Sequence, residues 1–262
     1  AILVSVAIVV SVLCSCVDCG CSMQVHEAAD DCDNLQVAQV ANEDAQRPAT
    51  LDEIALKHGT DKSSRRHNYA QFYDHLLTRL RSRPVRLLEV GVGTGETMSF
   101  MGKSYLPGAS LRMWAEYFPH AQLVAGIDVD PECMFQEGPI KTVVADSTSK
   151  ASVTAALAEL AVECFDVIID DGLHTVCSQL DTAAILLGAL DPQGVYIIED
   201  IRRPALLMRK LRQEFPTYAF HHEPFAKIRP RKRLLDSNVI VFSPDSHVLQ
   251  SLLDEVDNSQ EM

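Results

Sequence analysis

Residues 87–95 read Leu-Leu-Glu-Val-Gly-Val-Gly-Thr-Gly, and no other stretch constrains the fold as tightly. An apolar run carrying one acid passes directly into a glycine-rich turn. This is the pattern of a parallel strand, buried on both faces, that delivers the chain into a tight loop over a ligand. Gly91, Gly93 and Gly95 lack a Cβ, so they permit positive φ and close approach of backbone to ligand. The spacing is G-x-G-x-G, not the G-x-G-x-x-G of dinucleotide sites, and a plain glycine turn is the competing reading. Glu89 is costly in a core unless something bonds it.

Downstream and upstream of this loop the hydrophobic pattern alternates between two periods. Helical spacing predicts helices over Leu51–Lys57, Tyr69–Leu80, Leu111–Phe118, Ala151–Glu163, Cys177–Leu190, Pro204–Phe215 and His247–Val256. Short apolar runs predict strands over Arg86–Val90, Gln122–Asp128, Lys141–Asp146, Phe165–Asp170, Gly194–Asp200 and Asn238–Ser243. Strands alternating with helices imply an α/β fold with a doubly wound, mostly parallel sheet and helices on both faces.

Composition limits the partners. The chain has 262 residues, of which 47% are apolar, enough for a sizeable core. Its net charge of −13 argues against nucleic acid, which needs a basic face. Residues 1–21 are apolar and then Cys-rich, with Cys14, Cys16, Cys19 and Cys21 in a C-x-C-x-x-C-x-C run. The apolar part is short for a membrane span and fits a signal segment, an anchor or a spurious start, leaving membrane association through residues 1–21 open. Residues 22–50 read as an acidic, disordered linker (Glu27, Asp30, Asp31, Asp33, Glu43, Asp44). Residues 51–262 form the single folded domain, which looks cytoplasmic. Cys133, Cys164 and Cys177 read as buried thiols rather than a disulfide framework.

Four strands end in acids: Glu89, Asp128, Asp170 with Asp171, and Glu199 with Asp200. Ligands of an open α/β sheet bind outside the C-terminal strand ends, so these acids should meet in one crevice. Asp128 is placed to accept from ribose hydroxyls. Asp146 either accepts from an adenine amine or caps the next helix. Asp171, Glu199 and Asp200 repel one another unless a cation joins them, and hard carboxylate oxygens suit Mg²⁺ or Mn²⁺ better than zinc. His174 lies three residues past Asp171, where an imidazole can act as a base near neutral pH or simply bond the backbone. A basic run (Lys227, Arg229, Arg231, Lys232, Arg233) suits an anionic acceptor or a solvated hairpin.

These residues carry a family resemblance from about Leu51 to Ile201. The motifs are Lys57-His58-Gly59-Thr60-Asp61-Lys62 with His67, Tyr69 and Tyr73; Leu88-Glu89-Val90-Gly91-Val92-Gly93; Pro107 to Trp114 with Tyr117-Phe118-Pro119; Gly126-Ile127-Asp128; Ile168 to His174; and Tyr196 to Asp200. Together they resemble class I S-adenosylmethionine-dependent methyltransferases, and within them the metal-dependent O-methyltransferases of macrolide sugars and their uncharacterised bacterial relatives. The resemblance implies a seven-stranded Rossmann-like sheet and methyl transfer to a hydroxyl of a small molecule or sugar. It implies S-adenosylmethionine bound by Glu89, Gly91, Gly93 and Asp128, with Asp146 and Asp170 at the same site. The turn carrying Lys62 would close over the cofactor. It further implies Mg²⁺ (or Mn²⁺) on Asp171, Glu199 and Asp200, and His174 as the base. The match at Pro107–Ser110 puts the start of the next helix near Ser110, leaving residues 96–107 as an insertion over the cofactor. Asp146-Ser147-Thr148 stands where the family usually has a glutamine, and Arg202 and Arg203 stand where it often has aromatics. Two rival readings are a dinucleotide-dependent oxidoreductase and a non-catalytic cofactor-binding protein. A homo-oligomer is left open.

Overall fold

The computed structural model describes residues 47–225 and 235–260, for 257–260 the backbone alone. The chain divides into two units, residues 1–48 and 49–262. The Cys-rich segment, nearly all of the acidic stretch and the basic run Lys227–Arg233 lie outside the described residues.

The first helix, α1 (Leu51–His58), has its start and stop written in the sequence. Thr50 and Glu53 form a reciprocal capping box, and Gly59 ends the helix in the left-handed conformation at φ 71°. A tight turn follows, held by His67 N–H donating to Asp61 O (3.0 Å) and Asn68 N–H donating to Ser63 O (3.0 Å). Then come α2 (Tyr69–Leu77), β1 (Arg86–Val90), α3 (Ala109–Tyr117), β2 (Leu123–Asp128), β3 (Gln136–Glu137) and β4 (Ile140–Val144). The second half runs α4 (Lys150–Leu160), β5 (Phe165–Asp170), α5 (Val176–Leu186), β6 (Leu190–Ile198), α6 (Pro204–Glu214), β7 (Ala219–Glu223), β8 (Val239–Ser243) and α7 (Ser246–Gln260).

The strands form one eight-stranded sheet in the order β3-β4-β2-β1-β5-β6-β8-β7. β4, β2, β1, β5 and β6 are mutually parallel, while β8 runs antiparallel to both β6 and β7. The order reverses between β1 and β5, which is where such a sheet opens a crevice at its C-terminal edge. Leu87, Val167, Val195 and Ile197 face one core with α1, α2, α3 and α7. Leu88, Val90, Ile168, Tyr196 and Ile198 face the other with α4, α5 and α6. The period of two along each strand thus decides which core a side chain joins.

The doubly wound fold is the expected one, with four corrections of detail. The sheet has eight strands, not seven, because the two-residue β3 adds an antiparallel edge. β7 was hidden because its five residues are all half-buried and give no clean alternation. Helix α5 stops at Leu186 and a single 3-10 turn, Leu187–Ala189, leads into β6, which begins at Leu190 and takes in Asp191-Pro192-Gln193-Gly194. The register shift between Phe165 and Val167 absorbs those residues. Of the three described thiols only Cys133 is buried, and burial pushes it up to about 12; Cys164 is half-buried and Cys177 is exposed.

Residues 94–108 form turns and one 3-10 turn, Ser99–Met101, before α3 begins at Ala109. Helix α3 lies close on the sheet because β2 carries Gly126 at the contact. A Cβ there would stand 2.6 Å from Leu111 Cδ1 and 3.0 Å from Val92 Cγ2. Gly126→Val should therefore overpack this layer and lower stability by about 1–3 kcal/mol. The check is a urea transition, whose midpoint should fall with an unchanged slope.

Candidate active site

The crevice at the switch point is a single cleft of about 750 Å³. Gly91 and Gly93 form one wall. Both have positive φ (93° and 77°), and a Cβ on Gly91 would stand 2.3 Å from the Asp171 carbonyl oxygen. A side chain on Gly91 is therefore excluded by both conformation and space. Gly95 has an ordinary φ and open space around it, so it carries no such requirement. Thr97, Met98, Phe100 and Tyr105 bring residues 94–108 onto the same cleft.

Asp128 lies at the mouth of β2. Its Oδ2 accepts from Val92 N–H (2.9 Å) and Gly93 N–H (3.1 Å), so it shapes the glycine loop while lining the cleft. Asp146 also lines the cleft. It does not cap α4, which is capped by Ser149. Its Oδ1 accepts from Thr148 N–H and Oγ1, and these bonds hold its carboxyl below the usual range.

Beneath the cleft sits a buried ionic cluster. The Lys62 ammonium lies 2.7 Å from Glu199 Oε2, 2.8 Å from Asp171 Oδ2 and 3.2 Å from Glu89 Oε1. Lys62, Glu89 and Glu199 are 0–2% exposed. The second oxygens of the two glutamates are also occupied: Trp114 Nε1 donates to Glu89 Oε2 (2.9 Å) and Tyr73 Oη to Glu199 Oε1 (2.8 Å). Burial opposes the charge on Lys62, but Asp171, Glu199 and Glu89 outweigh it and hold its pKa well above the ordinary lysine value. Burial is also what raises the carboxyls of Glu89 and Glu199.

On the cleft side of this cluster, Asp171, His174 and Asp200 turn toward one another. Their potential ligand atoms all lie within 4.8 Å. His174 Nε2 is 4.0 Å from Asp171 Oδ1 and 3.9 Å from Asp200 Oδ2, while its buried Nδ1 has no partner. Asp200 occupies the left-handed region at φ 52°, and its Oδ1 accepts from Tyr69 Oη (2.6 Å) and lies 3.3 Å from His67 Nδ1. Burial and the neighbouring Asp171 raise the Asp200 carboxyl. A pair of carboxylates held this close is relieved by a cation between them, and oxygen donors suit a hard divalent ion. The residues therefore fit such an ion.

The expected site residues thus fall into three groups. Gly91, Gly93, Asp128, Asp146, Asp171, His174 and Asp200 line the cleft. Lys62, Glu89 and Glu199 lie behind it in the ionic cluster, so Glu199 faces Lys62 and Tyr73 rather than the open acids. Asp170 points to the opposite core: it is buried, its Oδ1 accepts from Gly172 N–H, and burial pushes its carboxyl up to about 7. Its place was readable from parity, since Asp170 shares a face with Ile168. Arg66 and Asp236, which also line the cleft, carry no motif that would have singled them out.

Comparison with known proteins bears on the fold. No protein-family model matches the chain. It is 35% identical over 149 residues to 8-demethyl-8-alpha-L-rhamnosyl tetracenomycin-C 2'-O-methyltransferase of Streptomyces olivaceus, covering 57% of this chain and 37% of that protein. It is 31% identical over 151 residues to demethylmacrocin O-methyltransferase of Streptomyces fradiae, covering 58% and 36%. The chain thus matches little more than a third of the length of these relatives. A crystal structure of the MycE methyltransferase from the mycinamycin biosynthetic pathway, in complex with Mg and SAH, superposes with a TM-score of 0.61 at 22% identity, covering 85% of this chain and 64% of that one. The fold is that of the MycE methyltransferase. Among the described residues no helix is long and apolar enough to cross a membrane.

The ionic cluster makes the most direct stability test of the site. Lys62→Met would leave Glu89 and Glu199 buried without their shared counter-charge, a loss of about 3–5 kcal/mol. Thermal and denaturant melts of the variant should show it. A change below about 1 kcal/mol would mean that the two glutamates do not depend on Lys62.

Proposed function

We propose that this chain transfers a methyl group from S-adenosylmethionine to a hydroxyl oxygen of a sugar-bearing small molecule, with the help of a divalent metal. The observation that carries this reading is the continuity of one cleft. It joins a glycine loop and Asp128, suited to an adenosyl group, to the paired acids Asp171 and Asp200 with His174. The sugar hydroxyl as acceptor is supported by the relatives, one named as a 2'-O-methyltransferase of a rhamnosyl compound and another as an L-olivosyl-oleandolide 3-O-methyltransferase. The chain's partial coverage of those relatives leaves the acceptor to be established by assay.

When bound, S-adenosylmethionine supplies a methyl on a positively charged sulfur, and the metal supplies a Lewis acid that lowers the pKa of the acceptor hydroxyl. Asp171 and Asp200 would hold the metal. Glu199, implied as a third ligand by the family resemblance, has its two oxygens bonded by Lys62 and Tyr73. His174 would take the hydroxyl proton, since its Nε2 is turned to the acid pair in the cleft. The glycine loop and Asp128 would hold the adenosyl end, and fixing the cofactor against the acceptor would supply part of the acceleration. Thr97, Met98, Phe100 and Tyr105 add an apolar and aromatic wall to the cleft from residues 94–108.

His174→Ala should lower turnover by about 10²–10⁴-fold. Mn²⁺ affinity, read by electron paramagnetic resonance, should stay within about threefold of wild type if the imidazole is a base and not a ligand. A parallel loss of Mn²⁺ binding would make His174 a metal ligand instead. EDTA should abolish methyl release from S-adenosylmethionine over a panel of glycosides, and Mg²⁺ should restore it. EDTA-insensitive turnover would remove the metal from the mechanism.

A further inference from the structure

The sulfur of S-adenosylmethionine carries three arms, and the cleft accounts for two of them under the function proposed above. The adenosyl arm belongs with Asp128, and the methyl must face Asp171, His174 and Asp200. The third arm ends in an α-amino acid, which is a zwitterion at neutral pH. The lining left for it is the turn between Gly59 and Asn68, together with Phe100 and Tyr105.

That lining carries one side chain of each sign with its polar atoms uncommitted. Arg66 lines the cleft with its guanidinium carbon 3.9 Å from the centre of the Phe100 ring. The stack fixes the plane of the guanidinium without using its donors. Its Nε is buried and has no hydrogen-bond partner. Among the described residues Arg66 makes no ion pair within 4.0 Å. Asp61 lines the same cleft from the same turn, 14% exposed, and its nearest counter-charge is His67 Nε2 at 3.9 Å. A buried donor without a partner is expensive and calls for an acceptor that arrives with a ligand. We infer that Arg66 and Asp61 form a clamp for the amino-acid end of the cofactor, with the Arg66 guanidinium receiving the carboxylate and Asp61 receiving the ammonium.

The inference rests on the methyltransferase reading, and calorimetry with two probes separates their failures. S-adenosylhomocysteine has the amino-acid end; 5′-deoxy-5′-methylthioadenosine keeps the adenosyl group and sulfur but lacks it. Arg66→Met keeps the stem on Phe100 and removes the charge. It should weaken S-adenosylhomocysteine by about 10–100-fold, the size of a charge-assisted contact, and leave methylthioadenosine within about twofold. Arg66→Lys should recover part of the loss. Asp61→Asn should likewise weaken the first probe more than the second. Equal weakening of both probes by Arg66→Met would show a structural role and overturn the clamp, as would an unchanged affinity for S-adenosylhomocysteine. Wild-type protein that binds neither probe would overturn the cofactor reading itself and the clamp with it.

Discussion

The ammonium of Lys62, wholly buried among three carboxylates, is the interaction on which the rest of the site depends. Neither the lysine nor the two glutamates could be buried alone, because an unpaired charge in a core costs several kcal/mol even after relaxation. Together they are tolerable, since Trp114 and Tyr73 satisfy the outer glutamate oxygens. The pairing joins parts of the chain that are far apart in sequence. Lys62 comes from the turn after α1, Glu89 from β1, Asp171 from the end of β5 and Glu199 from the end of β6. The turn that carries Asp61 and Arg66 is thereby pinned over the C-terminal edge of the sheet. One oxygen of Asp171 is committed to Lys62 and the other is left facing His174. The ionic cluster thus fixes the orientation of the acid that the cleft uses.

Strand parity explains why these acids do not share one role. Along β1 and its neighbours, alternate residues join opposite cores, so Glu89 enters the side that holds Trp114 and Tyr73. Asp170, paired in register with Val90 and Ile198, enters the other. Asp171 and Asp200 fall just beyond the strand ends, where the alternation no longer applies and the chain turns them into the cleft. Adjacent acids therefore meet different surroundings, one dry and one open.

Much of this was legible from the chain itself. Glu89 and the glycines that follow it announce a strand running into a ligand loop, and the apolar runs locate the five parallel strands to within a few residues. The crevice follows from topology, because acids at consecutive strand ends must meet where the strand order reverses. What the sequence does not display is long-range pairing. Lys62 is separated from Asp171 by 109 residues and from Glu199 by 137, and no local pattern ties them together. Arg66 sits in a polar turn and acquires its meaning only when Phe100 is folded beneath it. β7 escaped because half-burial on both faces leaves no alternation, and the start of β6 because helical and strand periods agree over a short apolar run.

The charge balance around Lys62 argues for the side on which a further cation would sit. Glu89, Asp171 and Glu199 contact one ammonium, Asp61 adds its field, and Asp200 lies beside Asp171. The inner two acids are closed off by Lys62, Trp114 and Tyr73, so their surroundings are complete. The deficit falls on Asp171 and Asp200, and burial together with their mutual repulsion shows it as a raised Asp200 carboxyl. A small divalent ion entering from the cleft would meet the oxygens that Lys62 leaves free. The same lysine that allows the inner acids to be buried therefore leaves the outer pair close together on the cleft side, an arrangement that suits a hard metal ion.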